Sequence, residues 1–239
     1  MNGNDRSVTE QAPLRQPASG RTLLHSIAGV LMASLLSGCV TATVQAVREA
    51  DTGVTAGESV VVLSRRSRPN TNETEFNFVN CISRKVNGGS NAIPVIDEQN
   101  FRDALFPWFE PRTAPGKATD LPEMLSQPIL ADRLNEIGLR YLIWVEGSTQ
   151  RIDQGGSLSC SVTPGGAGCF GFLTWENDSK YEASIWDVRT GRQAGRVSSD
   201  ANGTSYMPAV VVPIPMIARV QQSACNSLGT QLKTFLRSG

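Results

Sequence analysis

The sequence of 239 residues predicts an α/β fold, with a mixed sheet of about five strands and helices mainly on one face. Three observations carry this. Short β-branched runs alternate with segments whose apolar residues recur every three or four positions. The last three strand signals follow one another with no helix between them. A long helical segment then closes the chain. That order suits an α+β, two-layer arrangement.

The elements follow in sequence. Ser59 to Ser64 (SVVVLS) is a continuous apolar run, as a buried strand requires. Arg65, Arg66 and Arg68 make the next segment a basic loop. Such a loop beside a membrane could meet lipid phosphates, although a solvated loop is the simpler reading. Residues 73–87 place Phe78, Cys81, Ile82 and Val86 at helical spacing. Glu73 and Glu75 lie at the start, Arg84 and Lys85 near the end, and Gly88-Gly89 after it, all helix signals. Ile93 to Ile96 reads as a short strand, and Pro94 argues for an edge or a strand start.

Asp97 is placed to cap a helix from Glu98 to Phe106, which Pro107 stops. Phe101, Phe106, Trp108 and Phe109 read as core packing. Residues 110–122 form a loop. Ser126, with Pro128 in the first turn, caps a helix carrying Leu130, Leu134 and Ile137 on one stripe. Leu139 to Glu146 is the clearest strand in the chain.

Residues 147–178 are glycine-rich and lack periodicity. They read as an insertion, a decorated hairpin or loop, with Gly155-Gly156 and Gly165-Gly166 as turns. Gly166, Gly168 and Gly171 match G-x-G-x-x-G in letters only, since no helix opens there. Strands at 179–188 and 192–200 are joined by Arg189-Thr190-Gly191. A Gly/Pro-rich link leads to a final helix, about Ile217 to Leu236, with Val220, Ala224, Leu228, Leu232 and Phe235 on one side.

At the other end of the chain, Arg21 precedes an apolar run, Ile27 to Leu35, and then Leu36-Ser37-Gly38-Cys39. This pattern is a secretory signal, and its close resembles the lipobox of bacterial lipoproteins. Residues 22–38 are too short and too polar for a span of ~20 apolar residues. The resemblance implies cleavage after Gly38 and acylation of Cys39. Residues 1–38 are then a cleaved signal, of which residues 1–20 are unusually long and polar. Residues 39–57 become a flexible tether, and residues 58–239 a single globular domain. Val40 and Thr41 follow the cysteine, without the aspartate of inner-membrane retention. The resemblance therefore implies an outer-membrane lipoprotein whose domain faces the periplasm.

Cleavage removes His25, the only histidine. It also removes three arginines, Asp5 and Glu10, which leaves 19 basic and 20 acidic residues. Histidine triads and histidine metal sites are thereby excluded, and no concentrated basic face suggests nucleic acid. No cofactor is implied. The remaining catalytic candidates are carboxylates: Glu146, Asp153, Glu176, Asp178, Glu182 and Asp187. No spacing brings two of them together as a glycosidase requires, and Asp187 is better explained as a residue of the hairpin turn. Cys81, Cys160, Cys169 and Cys225 remain after Cys39. In an oxidising compartment they allow two disulfides in three pairings. A tetrathiolate metal site lacks C-x-x-C spacing, and four separately buried thiols are the other alternative.

Three stretches carry a second resemblance: Gly138 to Gly147, Ala183 to Arg192, and Ala224 to Gly229. With the order of elements, they resemble the amino-terminal TolB-like domain (TolB-N). That domain recurs in the curli secretion channel CsgG and the penicillin-binding-protein activator LpoB. The resemblance implies that the first and last helices lie side by side. A Cys81–Cys225 disulfide then follows, and Cys160–Cys169 is left as the second pair. It also implies a lipid-anchored, non-catalytic binding or assembly module of the envelope, with a membrane lipid and an envelope protein as partners. The alternatives are a subunit of an oligomeric outer-membrane secretion or channel complex, and a carboxylate-dependent cell-wall hydrolase.

Overall fold

A computed structural model describes residues 40–64, 74–110 and 112–237. The lipobox and the arginine loop lie outside the described residues. The described residues all belong to one compact unit, Gly38–Gly239. Among the described residues the fold is mixed α/β, with a six-stranded sheet and five α-helices. The strands are β1 Val40–Arg48, β2 Ser59–Ser64, β3 Val95–Ile96, β4 Leu139–Thr163, β5 Gly166–Asp187 and β6 Arg192–Pro213. The helices are α1 Phe76–Asn87, α2 Glu98–Ala104, α3 Leu121–Leu125, α4 Pro128–Glu136 and α5 Val220–Arg237.

Across the sheet the order is β1-β6-β5-β4-β2-β3. β2 runs parallel to β3 and β4, while β4, β5, β6 and β1 pair antiparallel. The sixth strand, β1, occupies the segment expected to be a tether. Val40, Ala42 and Val44 are half-buried against the core, whereas Thr43 and Gln45 lie on the opposite face. The alternation is visible in the sequence. The free edge of β6 that it pairs with is not.

Both faces of the sheet carry helices, which corrects the expected one-sided, two-layer arrangement. Val60, Val62, Tyr141, Ile143 and Val145 share a core with residues of α1 and α5. Val61, Leu63, Leu142 and Trp144 share a second core with residues of α2, α3 and α4. A strand covered on both sides is apolar at every position rather than at alternate ones. That explains the unbroken SVVVLS run.

Several boundaries move as well. α1 starts at Phe76, with Glu75 as its N-cap residue. Ser126 does not cap α4 and is instead the C-cap residue of α3. Its hydroxyl donates to the Glu123 carbonyl at the end of α3, and Gln127 precedes α4. Asp97 does cap α2, accepting from the backbone N–H groups of Gln99 and Asn100. Of the aromatic cluster, Phe101 and Phe109 are buried while Phe106 is exposed.

The two disulfides join Cys81 to Cys225 and Cys160 to Cys169. The first ties α1 to α5, with Cα atoms 6.2 Å apart.

Candidate functional site: the projecting arm and its base

β4, β5 and β6 are much longer than the body of the sheet needs. β2 follows β4 only as far as Val145, and β1 follows β6 only from Gly195 to Gly203. Beyond those points the three strands continue as an antiparallel ribbon. The register runs through Asn177 opposite Gly203, Leu173 opposite Gly156 and Met207, and Cys169 opposite Cys160 and Val211. At ~3.3 Å per residue the arm is roughly 35 Å long. The glycine-rich insertion is therefore strand, with its turn at Pro164 and Gly165.

Gly155-Gly156 does not make a turn. A Cβ at Gly156 would lie 2.1 Å from the Phe172 carbonyl oxygen, and one at Gly171 would lie 2.3 Å from that of Ser157. Both strands need glycine at these approaches. The Gly/Pro-rich link is also strand as far as Pro213. Pro208 is tolerated because β1 has already ended, which leaves β6 as an edge. The chain then folds back over that edge. Tyr206 and Met216 exchange backbone hydrogen bonds of 2.9 and 2.7 Å, and the Ile214 N–H donates to the Pro208 carbonyl.

The arm has an unusual surface. Residues 154–175 and 201–218 contain no charged residue. Phe170 and Val210 are exposed by 58% and 80% on one face, and Val162 and Val211 by 85% and 52% on the other. Phe172 stands near Tyr206, with ring centroids 6.1 Å apart. The Cys160–Cys169 disulfide crosses the ribbon near its tip.

A buried polar cluster fixes the arm's base. The Glu75 carboxylate accepts from the Tyr181 hydroxyl at 2.6 Å and from the Thr149 N–H at 3.1 Å. The Thr149 hydroxyl bridges Ser179 at 2.7 Å and Tyr181 at 2.8 Å. Thr74 donates to the carbonyls of Val145 and Gly147. Phe78 stacks on Tyr181 at 3.5 Å between centroids. Burial, then the bond to Glu75, pushes the Tyr181 phenol above its ordinary range, so it stays a neutral donor. Glu75 was expected to favour the helix dipole; its main task is to hold β4 to β5 where the arm departs.

The six candidate carboxylates fall in three places. Glu146 lies directly opposite Glu182 on the open sheet face. These two line a cavity of about 480 Å³ with Lys180, Ser198 and Asp200. Asp153 lies opposite Glu176 in the arm, and Asp178 pairs with Lys180 at 2.7 Å. Asp187 accepts from the backbone N–H groups of Arg189 and Thr190, as its hairpin position predicted, and pairs with Arg140. Among the described residues no group of three or more acidic, Cys or His side chains is placed to hold a metal ion.

Asp187 belongs to a network at the far end of the sheet. Arg140 also approaches Glu58 at 3.8 Å, and Arg189 pairs with Glu58. Burial pushes the Glu58 carboxyl up. Its hydrogen bonds from Thr55 and the charges of Arg189 and Arg140 outweigh that and hold it below the ordinary 4.5. A lowered folded value means stabilisation that is present above pH 4.5 and lost as pH falls through the folded value. Glu58→Gln is expected to cost about 1–2 kcal/mol at neutral pH. Thermal midpoints of the variant and the natural protein should converge in acid, and a gap independent of pH would refute the assignment.

No protein-family model matches the chain, and no curated protein matches it significantly. Among solved structures it is similar to PelC dodecamers from Paraburkholderia phytofirmans. One, a point variant, is 12% identical with a TM-score of 0.37, and covers 83% of this chain and 100% of that one. Another is 13% identical with a TM-score of 0.36, over 83% and 99%. A likeness this distant carries no functional argument.

Proposed function

We propose that this protein is a lipid-anchored module of the bacterial envelope that binds or assembles other envelope components and catalyses no reaction. Its anchor is Cys39, and its domain stands on the periplasmic side of the outer membrane. The arm is the observation that carries this reading. A charge-free ribbon with exposed apolar side chains on both faces is a surface built to be covered. Mixed polar cavities such as the one beside Glu146 lack any comparable signal.

Cys39→Ala tests the anchor. The variant is expected to accumulate as an uncut precursor that takes up no clickable fatty acid. Equal labelling of variant and natural protein would sink the proposal.

A second reading, a subunit of an oligomeric secretion or channel complex, is favoured by one specific feature. Among the described residues, no strand other than β5 pairs with β4 beyond Val145. A long open edge is a template for another strand. Chemical cross-linking of purified protein followed by sizing separates the two, since this reading requires a closed ring and the first does not.

A further inference from the structure

We infer that the tip of the arm is a second membrane-contact site, entering the boundary between headgroups and acyl chains beside the anchor. The direction of the arm rests on the lipid-anchored reading; the rest follows from the arm's own chemistry.

Geometry places the tip on the anchor's side. Val40 lies opposite Gly203, where the arm leaves the body of the sheet. β1 is antiparallel to β6, so it runs away from the tip, and Val40 is its residue nearest the tip. Cys39 is joined to Val40 by one peptide bond. Acyl chains on Cys39 therefore bring the bilayer to the base of the arm, within reach of its tip when the arm lies along the surface.

Composition selects lipid over a protein partner. A protein groove covers one face of a strand ribbon and leaves the other to water. Here Phe170 and Val210 stand exposed on one face, and Val162 and Val211 on the other. A medium that surrounds the tip removes both sets from water at once. The absence of charge over residues 154–175 and 201–218 meets the same condition, because a charge in that medium is costly.

Backbone hydrogen bonding limits the depth. The outer edge of β6 is covered by residues 214–216 only at Tyr206 and Pro208, and the outer edge of β4 is open among the described residues. Unpaired backbone groups cannot enter the hydrocarbon core. The tip therefore dips ~5–10 Å into the boundary region, and the arm lies aslant along the membrane surface rather than across the bilayer.

The test uses residues 39–239 carrying Cys39→Ser, so that neither acyl chain nor signal contributes. Both hydrophobic cores lie within this segment. It is floated with vesicles of phosphatidylethanolamine and phosphatidylglycerol. The expected result is flotation that survives high salt, reduced at least ~10-fold by combined Phe170→Asp and Val210→Asp. Unchanged resistance of the arm to protease in that variant shows that the arm is still folded. Three results would overturn the inference. One is no flotation. Another is flotation abolished by salt, which assigns it to Arg65, Arg66 and Arg68. The last is a stable oligomer that the double variant disperses, which makes a second copy the occupant of the tip. Because the acyl chain is absent, failure here is distinct from failure of Cys39 labelling in the natural protein.

Discussion

Removing the Cys81–Cys225 disulfide, as Cys81→Ala with Cys225→Ala, is expected to lower stability by about 4–5 kcal/mol at most. The bridge spans 144 residues, so its loss frees nearly the whole domain in the unfolded chain. On the native side, α1 and α5 keep Ile82, Val86, Leu228 and Leu232 in their shared core, so the fold survives the loss. For a domain of this size the thermal midpoint should fall by about 10 °C. Urea unfolding, followed without reductant, measures the effect. The Cys160–Cys169 pair provides the contrast. It closes nine residues on a ribbon remote from both cores. Its removal should leave the global midpoint nearly unchanged while exposing the arm to protease. Equal losses from the two double variants would contradict this division between a body bridge and an arm bridge.

Gly195→Ala is expected to detach β1. Gly195 has φ +153°, and an added Cβ would stand 2.3 Å from the Val47 carbonyl oxygen and 2.6 Å from Cζ of Phe235. Neither neighbour has room to yield. Val47 belongs to the β1 ladder, and Phe235 is held from two sides. The Arg48 guanidinium lies 4.1 Å above its ring and donates to its carbonyl at 2.8 Å, and Thr52 donates to the same carbonyl. That carbonyl is in the last turn of α5, where no helical N–H remains to bond it. A backbone conformation that L-residues avoid and a clash with a carbonyl together should cost about 3 kcal/mol. Hydrogen exchange across Val40–Arg48 should lose its protection in the variant, while β4 and β5 keep theirs. Unchanged exchange in β1 would mean that the close approach at Gly195 does not hold that strand.

What the sequence by itself determined is what depends on near neighbours in the chain. Asp97 caps α2 because its carboxylate reaches the N–H groups two and three residues on. Leu139 to Glu146 is strand because branched and aromatic side chains suit an extended backbone. Residue spacing left three disulfide pairings open, and the packing of α1 against α5 decides them as Cys81–Cys225 and Cys160–Cys169.

Tertiary structure decided everything that needed a distant partner. Val40 to Arg48 alternates but has no strand partner nearby in the chain, and becomes a strand because β6 offers an edge and α5 a carbonyl for Arg48. Residues 147–178 and 201–213 read as loop and link, because glycine and proline weaken strand propensity. In the fold each lies against a strand from the other segment, and Gly147, Gly156 and Gly171 sit where neighbouring backbones come too close for a Cβ. Glu75 shows the same rule at one residue. Its neighbours make it a helix-start carboxylate, and only Tyr181, 106 positions away, makes it the clamp at the base of the arm. The arm's absence of charge could be read from the sequence. That its apolar side chains stand exposed on both faces could not, because burial is fixed by what the rest of the chain covers.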